Sequence, residues 1–172
     1  MEKYNEKDIA SYFFSLDPER KIFNQNLISR NNVNFYEGNA RLNKYMHLAQ
    51  NIYLAMTGKL LIDTSFYAYA NGAVIPAIQR DYKILSVAAS KENDTELPLE
   101  IQTFLKKFFK AFESADIDEI IEIDHEDEAW IEKSYVTNSY EKQKMDTMKH
   151  KDEYKKQYAD MIKVLERMEV WQ

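Results

Sequence analysis

The chain has 172 residues, 45% hydrophobic and 13% aromatic, which suffices for one domain with its own core and excludes a disordered chain. It has no cysteine, which excludes disulfides, thiolate metal sites and thiol catalysis, and with only three Gly and three Pro it favours helices over a turn-rich β-sandwich or barrel. A net charge of −6 argues against direct nucleic-acid binding, but ten acids and no Lys or Arg fall between Glu113 and Glu132, leaving +4 on the rest of the chain.

The first eight residues contain no apolar stretch of the signal-peptide kind, and no run of about 18 apolar residues occurs anywhere. With the absence of cysteine, this makes a cytoplasmic location the expectation and a membrane partner an unexpected one. Asn5 is placed to cap a helix from Lys7 to Leu16, in which Ile9, Tyr12, Phe13 and Leu16 form one apolar face. Asp17-Pro18 ends it, because the residue before proline is driven out of the α region. Residues 20–38, rich in Asn, read as a connection.

Periodicity is strongest from Asn39 to Thr57, where Leu42, Tyr45, Met46, Ala49, Ile52, Tyr53 and Met56 repeat over four turns. Gly58 follows as a left-handed cap. The β-prone runs Leu60-Leu61-Ile62 and Phe66-Tyr67-Ala68-Tyr69, separated by Asp63-Thr64-Ser65, predict a small hairpin near residues 60–70. Asn71-Gly72 is a turn, and Pro76 opens a helix carrying Ile78, Tyr82, Leu85 and Ala89. A polar loop spans Lys91 to Glu96. Pro98 opens an aromatic-rich helix with Ile101, Phe104, Leu105, Phe108, Phe109 and Phe112 on its inner stripe, read as core and not as a ligand pocket. Asp116 and Glu119 form a capping box for a short helix through Ile117, Ile120 and Ile121. Another short helix is predicted from Glu126 to Val136, and one long helix from about Ser139 to Val170.

The pieces from residue 39 to 134 resemble, in order and spacing, the SocA-like (Panacea) antitoxin family with its phage-associated, GepA-like members. Leu42-Asn43-Lys44-Tyr45-Met46-His47-Leu48-Ala49-Gln50 is similar to the family's LQKLLYFAQ helix, and Leu54 to Leu61, with Thr57 and Gly58, to its LALTGKPLF continuation. Asp63 to Pro76, including Tyr69, Gly72 and Val74, resembles DE-x-x-EAWxYGPVVP. Ser114 to Trp130, with His125, resembles the closing SA-x-ELSELTHxxxPW motif. The chain departs from the pattern at Tyr69, where the family has Trp, and at Ala73, where it has Pro. The resemblance implies a mostly helical domain over residues 1–138, with 139–172 as a C-terminal helical extension. It also implies an antitoxin that neutralises a cognate protein toxin by direct binding, and the sequence shows no nucleophile elbow, phosphate-cradling glycine loop or zinc-ligand spacing, so no catalysis, metal or cofactor is expected. A protease adaptor or another prophage-encoded interaction module is the alternative function.

His47, beside the apolar stripe of the central helix, reads as a hydrogen-bonded helix histidine and not as a ligand. His125 sits among Asp124, Glu126, Asp127 and Glu128, the one place where a metal-dependent hydrolase has candidate ligands. Consecutive helical residues do not face one another, however, which disfavours that site. Candidate partner-binding residues lie in the acidic block, at Asp127 and Glu128, where a basic partner would be steered in. Others lie in the C-terminal segment, where Tyr154, Tyr158, Met161, Leu165 and Met168 make a two-heptad seam with Trp171 beyond it. That seam packs either on its own domain or on a second chain, as a homodimer.

Overall fold

Asn5 caps the first helix as its side-chain type predicts: Oδ1 accepts from the Lys7 N–H at 2.8 Å, and α1 runs over Glu6–Ser15. The computed structural model describes residues 3–89, 96–134 and 142–169. Asp17 does more than end α1. It is buried, and its two carboxylate oxygens accept from the N–H groups of Lys21, Ile22 and Phe23 at 3.0, 2.9 and 2.8 Å, folding the chain back sharply. This turn delivers Phe23 into the core.

Residues 20–38 are not a plain connection. They hold an antiparallel hairpin of β1 (Leu27–Arg30) and β2 (Val33–Tyr36), with Leu27 opposite Tyr36 and Arg30 opposite Val33. Its turn residues, Asn31 and Asn32, take φ of 54° and 62°. Two successive positive φ values match the twist of a hairpin, and Asn tolerates them better than most residues.

The central helix α2 spans Glu37–Thr57 and ends on Gly58 at φ 75°, whose N–H donates to Leu54 O at 2.8 Å. The predicted second hairpin exists one segment later than its apolar runs suggested. β3 (Tyr67–Tyr69) pairs with β4 (Gly72–Val74) across Ala70-Asn71. Ile62 instead bridges in parallel to Tyr4, and the N–H groups of Leu61 and Ile62 donate to Gln50 Oε1 on α2 at 2.7 and 2.9 Å. Pro76 opens α3 (Pro76–Arg80), and Asp81, at φ −97° and ψ 13°, separates it from α4 (Tyr82–Ala88) where one helix was expected.

The helices α5 (Leu99–Phe112), α6 (Ile117–Asp124) and α7 (Glu128–Ser134) follow as predicted, α6 being capped by Asp116 Oδ1 accepting from Glu119 N at 2.9 Å. Asn5 and Asp116 are equivalent devices, and replacing either with Ala is expected to lower stability by about 1 kcal/mol in urea denaturation. Of the polar loop, residues 91–95 lie outside the described residues, as does Val136.

Tyr45 of α2 is the hub of the aromatic core. Its ring centroid lies 5.5–6.2 Å from those of Phe13, Phe23, Phe108, Phe109 and Phe112, and its hydroxyl donates to Phe112 O at 3.0 Å. The stripe on α5 is thus core, packed at the edge-to-face and tilted angles that aromatic quadrupoles favour.

The C-terminal part differs from the single long helix expected. Gln143–Lys144 is a strand, β5, giving sheet order β4-β3-β5, with Met145 N donating to Phe66 O at 2.8 Å. A 3-10 turn, Met148–His150, leads into α8 (Lys151–Gln157), and Tyr158 at φ −106° and ψ 15° separates it from α9 (Ala159–Arg167). β3 without β5 would leave a row of backbone groups unpaired, and that demand overrides the helical preference of residues 143–145. Among the described residues, no helix is long and apolar enough to cross a membrane.

Candidate functional site

Lys44, His47 and Asn51 stand at i, i+3 and i+7 on α2, so they share one face of that helix. Asp124 closes α6, and Asp127 precedes α7. These two segments, 77 to 80 residues apart in sequence, meet at His47. Nδ1 of His47 is hydrogen-bonded to Asp124 Oδ1, and Nε2 to Asp127 Oδ2 at 2.6 Å. Both ring nitrogens face carboxylate oxygens, which only accept, so both carry protons and the ring is an imidazolium.

The carboxylates are held in turn. Asp124 Oδ2 accepts from Ala73 N at 2.8 Å, tying α6 to β4. Asp127 Oδ1 accepts from the Tyr154 hydroxyl at 2.6 Å and from Ala129 N at 2.9 Å, while Oδ2 also accepts from Asn51 Nδ2 at 3.0 Å. Asn51 reaches Tyr158 Oη at 3.2 Å, and Lys44 Nζ donates to Ala73 O at 3.1 Å. His47, Asp124, Asp127 and Asn51 are 0% exposed, and Lys44 is 2% exposed. His47 is thus enclosed between two carboxyl groups, with Lys44 beside them on the same helix face.

Burial by itself pulls the His47 pKa down, but the adjacent Asp124 and Asp127 carboxylates outweigh it and raise the pKa from 6.5 to about 9. Burial likewise pushes Asp127 up, and the hydrogen bonds from His47, Tyr154 and Asn51 more than reverse that, holding its carboxyl below the usual range. A raised histidine pKa favours the folded state fully below 6.5, and that contribution is lost as pH rises through about 9. The shift corresponds to about 3 kcal/mol, opposed in part by Lys44, whose pKa burial lowers. We expect the His47 ring protons to titrate with a midpoint near 9 by NMR, and urea stability to fall between pH 6.5 and 9. A midpoint at or below 6.5 would show that the imidazolium is absent. Tyr154→Phe removes one hydroxyl from Asp127 and is expected to cost about 1–3 kcal/mol at neutral pH, measured the same way.

His125 does not join this network. Its ring stacks on Trp130, with centroids 4.1 Å apart and planes 5° apart, and the Trp130 indole N–H donates to Tyr69 O at 2.9 Å. Asp124 and Asp127 turn inward while His125 lies against Trp130 and Glu126 and Glu128 are exposed, so the acidic stretch diverges. Among the described residues no three His, Asp or Glu side chains are gathered as a metal would need.

Residues from the motif segments are brought together: Lys44 from α2, Tyr69 and Gly72 from the hairpin, His125 and Trp130 from α6–α7. Leu42, Tyr45, Ala49 and Val74 lie in the surrounding core, and Gln50 holds Leu61 and Ile62. Pro76 and Thr57-Gly58 mark helix ends, and exposed Asp63 pairs through its N–H with Tyr4 O at 2.8 Å.

The predicted partner-facing residues fare differently. Asp127 is fully buried and its carboxylate is used internally, so it has no atom to offer another protein, whereas Glu128 is exposed. Tyr154, Tyr158 and Leu165 are at most 3% exposed, with α8 packed on α2 and α9 on α5. The seam is filled by its own domain because two of its members are hydroxyl donors or acceptors that the buried network requires. Met161 and Met168 are partly buried against the same core, and Trp171 lies outside the described residues. Sequence reasoning missed Asp124, Asn51 and Asp17. The available signal was the polar stripe Lys44, His47, Asn51 on an otherwise apolar helix, matched by Asp124 and Asp127 three residues apart. No family model, no curated protein and no solved structure matches the chain.

Proposed function

We propose that the protein is an antitoxin-type binding module, acting in the cytosol, that neutralises a cognate protein toxin by direct contact. One observation carries the reading. The segments on which the resemblance rests are far apart in sequence, yet they converge on a single ion network. Of the residues that match the family pattern, Lys44 bonds Ala73 O beside Gly72, and Trp130 bonds Tyr69 O on the same turn, so the matched segments meet in one place. The His47, Asp124 and Asp127 triad also suits a scaffold better than a catalyst, since these three groups are closed to solvent and satisfy one another.

The surface available for contact is the outer face of α6 and the start of α7, where Glu119, Glu122, Glu126 and Glu128 are exposed. Such a face accelerates encounter with a basic partner and makes the rate salt-dependent. Co-expression with the product of the neighbouring gene tests the proposal. The expected result is a stable co-purifying complex and relief of that product's toxicity; failure of both rejects it.

A further inference from the structure

We infer that the cleft bounded by the β1–β2 hairpin, α2 and the β3–β4 turn binds a small carboxylate carried on a flat or apolar body. The cleft holds about 280 Å³, just below the usual range for ligand pockets, so it takes a single side-chain-sized group. Phe35, Tyr69 and Val74 supply apolar wall, and Lys44, Lys142 and Gln79 supply polar wall. Among the described residues no Asp or Glu lines it, although the chain as a whole is acidic.

Lys44 is the decisive group. Its ammonium has three N–H donors, and one is used by Ala73 O. Asp124, the acid that acts on it electrostatically, is already hydrogen-bonded to His47 and to Ala73 N and makes no ion pair with it. Two donors are thus left without a protein acceptor on a buried side chain that lines the cleft. A buried ammonium short of acceptors is costly, and a carboxylate relieves that cost through charge-assisted hydrogen bonds. Lys142 adds a second cation, its Nζ lying 5.2 Å over the Tyr69 ring with no acid beside it among the described residues. The Gln79 side chain also has no hydrogen-bond partner among the described residues, so it offers a further donor to the same guest. Two of the neighbouring carboxamides are occupied: Asn43 bonds Asn39 and Ile75, and Asn71 bonds Asn31 and Arg30. The unused capacity of the wall is therefore the two lysines with the Asn34 and Gln79 carboxamides, a set rich in donors, and the aromatic ring beside it accepts a flat body.

This site does not rest on the antitoxin reading. A free small acid and the C-terminal residue of a peptide present the same chemistry, and two probes separate them. The full chain, isotopically labelled, is titrated by NMR with hippurate and its methyl ester, then with acetyl-Ala-Phe as the free acid and as the amide. We expect saturable shifts at the amides of Asn43, Lys44 and residues 69–71, with hippurate at least about 10-fold tighter than its ester. Lys142→Ala, at the rim and so without cost to the core, is expected to weaken hippurate by about 10-fold. Binding of hippurate alone assigns a free acid, and binding of the peptide acid as well assigns a chain terminus; both uphold the site. No saturable shift with either acid up to about 10 mM overturns it, as does equal binding of the ester or unchanged affinity in Lys142→Ala.

Discussion

His47→Leu is expected to lower stability at pH 7 by about 3–5 kcal/mol, the cost typical of stripping a buried ion pair of one partner. The substitution fits the volume of the site but leaves Asp124 and Asp127 facing each other across an apolar side chain, both 0% exposed. Neither can turn to water, because each is also fixed by backbone N–H groups at Ala73 and Ala129. With the imidazolium gone, Asp127 takes up a proton more readily, since His47 is what chiefly holds its carboxyl low. The gap between variant and wild type should therefore narrow as the pH is lowered from 7 to 5. Urea denaturation at the two pH values measures both effects. A variant within about 1 kcal/mol of wild type at pH 7 would mean that the network contributes little beyond its hydrogen bonds to the backbone.

That prediction locates what the sequence could and could not convey. Helices announced by period and cap were legible: Asn5, Gly58, Pro98 and Asp116 mark boundaries within a residue or two of those found. These signals act over three or four residues, so they survive without knowledge of the rest of the chain. Strands were less legible. Each is four residues or fewer, and β5 exists because β3 offers an unpaired edge, a circumstance that residues 143–144 do not encode. The Asn31-Asn32 turn was the one local sign of the first hairpin.

The site was half legible. His47 was legible as a hydrogen-bonded helix histidine but not as a buried one, because its partners come from an acidic stretch that looks solvated when taken alone. Eight of its ten acids do stay at least partly at the surface, and the two that turn inward differ from them only in standing three apart at a helix junction. The C-terminal seam shows the same limit. Tyr154 and Tyr158 carry a heptad spacing, yet their hydroxyls are matched to Asp127 and Asn51, and that match is what turns the seam inward.

Gly72→Ala should destabilise the fold by a comparable amount, about 3–4 kcal/mol, although it adds one methyl group and removes no charge. Gly72 has φ of 121°, a conformation that costs a residue with a side chain about 1–2 kcal/mol. The added Cβ would also land on Asp124 Oδ2 and within 2.7 Å of Lys44 Cε. Overpacking of this kind costs about 1–3 kcal/mol, and here the obstructing atom is the carboxylate oxygen that accepts from Ala73 N. Asp124 cannot yield without loosening both His47 and the hairpin. The effect should therefore reach His47, whose ring protons would shift and titrate below the wild-type midpoint. Gly72→Ala with near-normal urea stability and an unchanged His47 titration would show that the β3–β4 turn is not locked to the network. The turn also walls the proposed carboxylate cleft, so the same variant is expected to weaken hippurate even where it remains folded.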